Sequence, residues 1–128
     1  MRLALVTLVV PSYEAGLAFF ADGLGFSVVE NTPLSETKSW VVVRPPGGGA
    51  DLLLARAASP DQAARIGDQT GGRVAFFLHT DDFTHARARI EAAGGRFLET
   101  PRREAYGTVA KFADPFGNSW DLIEAAGV

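Results

Sequence analysis

The apolar positions of this chain fall into short blocks that alternate between strand-like and helix-like spacing. Residues 3–10 form a continuous apolar run rich in Leu, Val and Thr, stopped by Pro11, and predict a buried strand. Ser12 is placed to cap a helix over 13–23, where Leu17, Phe20 and Leu24 recur at the spacing of one helix face. Gly25 ends that helix, because glycine takes the left-handed conformation cheaply. Residues 26–30 predict a strand, 31–38 a polar loop, 39–43 a β-branched strand, 45–49 a Pro/Gly turn, and 51–55 a short apolar strand. The pattern then starts again: a strand over 73–80, a helix from the Asp82 cap to about 93, and a stop at Gly94-Gly95. A strand at 96–99, a charged loop at 100–106, a strand at 108–113, a turn at 114–118 and a last strand at 119–124 complete it.

The second half is a copy of the first. A shift of 70 residues sets Ser12 on Asp82 and Gly25 on Gly95. It also sets Pro45, Gly47, Asp51 and Leu52 on Pro115, Gly117, Asp121 and Leu122. The predicted organisation is one domain of two modules, 1–55 and 73–128, joined by a linker at 56–72. The linker carries one short helix, opened by Ser59-Pro60-Asp61. Each module reads strand, helix, three strands, so the fold class is α+β with two βαβββ modules.

Composition narrows the function classes. The 128 residues suit one ordinary domain, and 47% hydrophobic with 21% charged residues is the balance of a soluble globular chain. A net charge of −3 with no basic stripe argues against nucleic acid. The apolar run at 3–10 is too short to span a membrane, so no membrane partner is expected. Cysteine is absent, which removes thiolate chemistry and fits a cytoplasmic setting. Gly47-Gly48-Gly49 precedes no helix and so is a turn rather than a phosphate loop.

Phe19-Phe20 and Leu24-Gly25-Phe26 in the first module, and Asp114-Pro115-Phe116-Gly117-Asn118 before the last strand, carry a family resemblance. Over nearly its whole length the chain resembles the vicinal oxygen chelate superfamily. That group holds glyoxalase I, extradiol dioxygenases, fosfomycin-resistance transferases and bleomycin-resistance proteins. Tyr106 to Ala110, with Trp120 to Ile123, is similar to a large bacterial branch of it. The resemblance implies that the two modules form a curved mixed sheet with a central trough. It also implies that metal-dependent members place one ligand, usually His, Gln or Glu, on each of four strands. A homodimer is implied as well, since a half-barrel alone leaves sheet edges and apolar surface open.

Matched by motif, the four positions hold Leu5, Asp51, Ala75 and Asp121. Leu5 and Ala75 cannot bind a metal, and two Asp side chains without imidazole leave room only for a weakly held divalent ion. No cofactor is expected. Asp51 and Asp121 read either as strand-start residues bonded to nearby amides or as functional carboxyls. His79 shares a strand face with Phe77 and has a pKa suited to acid–base work. Leu5, Thr7, Ala75 and Phe77 are expected to line an apolar hollow, with Arg102 and Tyr106 on a loop above it. The first functional expectation is a protein that binds a small hydrophobic or drug-like molecule without a tight metal. The alternative is a glyoxalase-like lyase or isomerase, or a dioxygenase, using Asp51, Asp121 and His79.

Overall fold

The computed structural model describes residues 1–127 and divides into two compact units, the first ending at Ile66 and the second starting at Gly67. The fold is α+β. The first unit contains β1 (Leu5–Val10), α1 (Tyr13–Leu17), β2 (Ser27–Pro33), β3 (Ser39–Arg44), β4 (Asp51–Arg56) and α2 (Pro60–Ala63). Its four-stranded sheet has the order β1-β4-β3-β2, parallel between β1 and β4 and antiparallel elsewhere.

Local chemistry explains the start and stop of each element. Ser12 Oγ accepts the Ala15 amide at 3.1 Å and caps α1. The helix passes without a break into a π-helical segment, Ala18–Gly23, in which the Leu24 amide reaches the Phe19 carbonyl at 2.9 Å. This wider turn lets Phe19 and Phe20 both face inward, with rings 4.9 Å apart and edge-to-face, and Phe26 stands 5.4 Å from Phe20. Gly25, at φ +79°, turns the chain out of the helix. Gly16 lets α1 lie close on β4, since a Cβ there would sit 2.9 Å from the Leu54 side chain.

The second unit contains β5 (Phe76–His79), α3 (Phe83–Ala92), β6 (Arg96–Phe97), β7 (Arg102–Glu104), β8 (Gly107–Ala113) and β9 (Ser119–Ala125). The sheet order is β5-β9-β8-β6, with β7 also paired to β8. Asp82 Oδ1 accepts the His85 amide at 3.0 Å, and a Glu124 carboxyl oxygen accepts the Phe83 amide at 2.8 Å, so the start of α3 is tied to β9. Beneath α3 a run of rings fills the core: Phe76 lies 4.5 Å from Trp120, Trp120 stacks on Phe112 at 5.8 Å, and Phe97 follows at 5.3 Å.

The turn at 114–118 is organised by one buried carboxyl. Asp114 Oδ1 accepts the amides of Phe116 (2.9 Å) and Asn118 (3.0 Å). Its Oδ2 accepts Asn118 Nδ2 (2.9 Å) and Trp120 Nε1 (3.0 Å). Four donors are what an isolated buried carboxylate requires in place of water.

Several expectations are corrected. The charged loop at 100–106 contains β7: Arg102 pairs with Val109 across the sheet, and its guanidinium bonds Glu99 (3.1 Å) and Glu104 (2.8 Å). Opposite charges along this run neutralise one another locally and permit pairing. The strand at 73–80 shortens to Phe76–His79, leaving Ala75 outside it, and that at 96–99 shortens to Arg96–Phe97. β2 runs on through Pro33, deep into the polar loop, because it lies at the sheet edge where proline costs no ladder bond and polar residues face water. Among the described residues no helix is long and apolar enough to cross a membrane.

Candidate functional site: the sheet faces away from the helices

Residues paired across strands share a sheet face, and the face alternates along each strand. In the second sheet Phe112, Ala110, Trp120 and Leu122 form the buried face under α3. The opposite face carries Phe77 and His79 from β5, Asp121 and Ile123 from β9, and Val109 and Lys111 from β8. Phe77 is 62% exposed, an unusual state for a phenyl ring at a strand centre. In the first sheet Leu8, Val10, Val41, Val43, Leu52 and Leu54 are buried on the helix side. Leu5, Thr7, Asp51 and Leu53 lie together on the other side.

The two matched aspartates sit in unlike surroundings. Asp51 faces Leu5 across β1/β4 and is gripped by Arg44, with Nε on Oδ1 and Nη2 on Oδ2, both at 3.0 Å. These hydrogen bonds hold the Asp51 carboxyl below the usual carboxylate range, against its burial, and the charges of Arg44 and Arg2 add to the effect. Such a group is a poor proton acceptor near neutrality. Its partner is a side chain and not the nearby amides that strand-start geometry led one to expect.

Asp121 faces Phe77 on one side and Lys111 on the other. Its Oδ1 is buried and accepts no hydrogen bond; among the described residues it is the one buried side-chain nitrogen or oxygen in that state. The 70-residue offset therefore does not survive as strand pairing. Leu5 stands opposite Asp51, whereas Phe77, two residues beyond the matched Ala75, stands opposite Asp121. Ala75 lies just before β5, where its amide donates to the Ser119 carbonyl at 2.8 Å.

The remaining residues divide between sheet and hairpin. His79 is exposed on the same face as Phe77 and Asp121. Arg102 and Tyr106 lie on the β7–β8 hairpin and not on a free loop. The Arg102 guanidinium is raised above its ordinary value by Glu104, then by Glu99 and the Tyr106 side chain. Its donors are thus engaged within the hairpin. Glu99 is pushed up by its burial, but the Lys111 amide and Arg102 outweigh this and hold it below its usual range.

These donors do not fit a divalent metal. Asp51 spends both oxygens on Arg44, the strand partners of Asp121 are Phe77 and Lys111, neither of them a metal ligand, and no group of three His, Cys, Asp or Glu converges among the described residues. Sequence reasoning assigned no role to Arg44 or Lys111. Hairpin counting would have found both: extending the Val43–Leu52 pairing by one step places Arg44 opposite Asp51, and Lys111 is the register partner of Asp121.

Comparison with known proteins follows the fold. Residues 2–122 match the profile of the Glyoxalase/Bleomycin resistance protein/Dioxygenase superfamily. An uncharacterized protein of Shewanella frigidimarina is 46% identical over 121 residues, 93% of this chain and 90% of its own. Among solved structures, TnmS3, an antibiotic binding protein from Streptomyces sp. CB03234, superposes with a TM-score of 0.76 at 25% identity, covering 98% of this chain and 97% of its own. A superfamily protein from Sphaerobacter thermophilus gives a TM-score of 0.74 at 27% identity, covering 97% of each chain.

Proposed function

The chain belongs to the Glyoxalase/Bleomycin resistance protein/Dioxygenase superfamily, and from that membership we propose that it binds a small hydrophobic or drug-like molecule on a sheet face turned away from the helices, without a tightly held metal. The observation that carries this reading is Phe77, a large apolar ring left 62% exposed in the middle of β5, with half-buried Ile123 two strand positions along the same face. A soluble domain gains by covering such a side chain, and a planar apolar ligand does so. The antibiotic-binding activity of TnmS3 lends support by analogy. On the first sheet the matching apolar contacts are Leu5 and Thr7, while Ala75, Arg102 and Tyr106 border the second. The lyase, isomerase or dioxygenase alternative is weaker, because Asp51 is occupied by Arg44 and leaves Asp121 and His79 without a third group.

A thermal-shift and calorimetry screen against bleomycin-type glycopeptides and polycyclic aromatic compounds tests the proposal. A ligand at 100 times its Kd stabilises the fold by about 2.7 kcal/mol. Phe77→Ala is expected to weaken any such ligand while leaving the free protein folded. Failure of every compound to raise the Tm, at concentrations where TnmS3 responds to its antibiotic, would sink the reading. We propose further that the protein is a homodimer, supported by the exposed Val28 and Val29 on edge strand β2, and light scattering decides that point.

A further inference from the structure

We propose a second site, on the α3 side of the second sheet, that binds a small zwitterion of the amino-acid type. The site is a polar hollow of about 150 Å³ between the β7–β8 hairpin and the end of β9. Its wall carries one cross-strand row: Arg103 on β7, Thr108 on β8 and Glu124 on β9. Counting by twos from Ala110 and Leu122 puts this row on the face that α3 covers further along, and the bond from the Phe83 amide to Glu124 agrees. Phe77 lies on the opposite face, so the hollow is independent of the binding reading above. Neighbouring strands lie about 4.8 Å apart, which sets the backbones of Arg103 and Glu124 roughly 10 Å from each other. Thr108 stands between them, and no ion pair joins the two charges.

Both ends of the row keep free hydrogen-bonding groups. Arg103 is exposed and has no hydrogen bond or ion pair among the described residues, whereas Arg102 beside it is held by Glu99 and Glu104. Glu124 gives one oxygen to the Phe83 amide; its other oxygen and the Thr108 hydroxyl have no partner among the described residues. Glu104 also lines the hollow, but Arg102 meets its charge at 2.8 Å. The charges left for a ligand are therefore the Arg103 guanidinium and the Glu124 carboxylate. A simple anion drawn to Arg103 meets Glu124, and a simple cation drawn to Glu124 meets Arg103. Only a molecule carrying both signs is favoured at both ends. An enclosed space of this volume takes a benzene ring, so the ligand has about six non-hydrogen atoms. Glycine and alanine are of that size. Their carboxylate presents the two-oxygen edge that a guanidinium pairs with, and their ammonium can donate to Glu124 and Thr108.

The test titrates alanine, propionate and ethylamine into the 15N-labelled full chain at neutral pH and constant ionic strength. The three probes share a size and differ in which charges they carry. Backbone amide shifts of Thr108 and Ala126 report occupancy. Alanine is expected to bind about five- to ten-fold tighter than either of the others, the gain from a second charge-assisted contact at a partly exposed site. Arg103→Gln is expected to abolish the advantage of alanine over ethylamine, and Glu124→Gln its advantage over propionate. Arg103 holds nothing in the fold, and glutamine at 124 keeps an oxygen for the Phe83 amide, so both variants are expected to melt as the wild type does. Should Glu124→Gln melt lower, the Arg103→Gln titration decides. Equal affinities for the three probes, or no saturable shift at Thr108 with alanine, would overturn the proposal. An unchanged preference for alanine over ethylamine in a folded Arg103→Gln protein would do the same. Neither result touches ligand binding at Phe77, whose own amide reports that face separately.

Discussion

Replacing Asp114 by Asn changes one atom and leaves the shape of the 114–118 turn intact, yet it should destabilise the protein severely. In the native turn each carboxyl oxygen accepts two donors. Asparagine offers one oxygen and one NH2, so the NH2 must face two donors whichever way it is turned. With its oxygen kept on the amides of Phe116 and Asn118, the NH2 meets Asn118 Nδ2 and Trp120 Nε1. The Asn118 amide can flip to relieve one conflict, but the indole N–H can only donate. At least one buried donor is orphaned and two charge-assisted bonds are lost, a cost of about 2–5 kcal/mol. Against a typical total of about 5–15 kcal/mol, that is a large share. Urea unfolding in a Trp40→Phe background, followed by Trp120 emission and circular dichroism, measures it. The midpoint should fall by about 1–2.5 M at an m value near 2 kcal/mol/M. A cycle with Trp120→Phe adds a sharper test: removing the indole donor should relieve part of the Asp114→Asn penalty, by about 1–3 kcal/mol. Strict additivity of the two substitutions, or a penalty below about 0.5 kcal/mol for Asp114→Asn alone, would refute the account of the turn.

Two further outcomes follow from geometry. Asp51 titrates lower in the folded protein than in the unfolded chain, so the Arg44 pair contributes fully above the unfolded carboxyl value of about 4 and its contribution fades as pH falls through the depressed folded value. Asp51→Asn should therefore flatten the acid limb of a stability-versus-pH curve, and an unchanged slope between about pH 2 and 5 would contradict the pairing. Gly107 has φ +148° and lies so close to the Glu124 carbonyl oxygen that a Cβ would collide with it, so Gly107→Ala should lower the Tm by on the order of 5–10 °C in calorimetry.

Much of the fold was legible because its punctuation is local. Ser12, Ser59 and Asp82 cap helices through bonds to amides three residues ahead, and Gly25 and Gly94 take positive φ just beyond the helices they end. What was not legible depends on pairing across distance. β7 exists because Arg102 finds Glu99 and Glu104 once the hairpin folds, and a charged run by itself looks like a solvated loop. The site suffered in the same way. A constant sequence offset placed Ala75 opposite Asp121, but the second module carries two residues fewer between that row and its helix cap, so Phe77 takes the place. Sequence identity told that Asp51 and Asp121 correspond; only counting along the β3–β4 hairpin, which sets Arg44 opposite Asp51, bears on which of the two would be clamped by a guanidinium.

The Asp114 carboxyl draws all its donors from residues no more than six positions downstream. A knot tied with so short a length of string closes its own hydrogen bonds, and takes from the rest of the molecule only the packing that keeps water away. Asp114, Pro115, Gly117 and Asn118 therefore specify a turn, and leave the chemistry of the sheet faces to other positions.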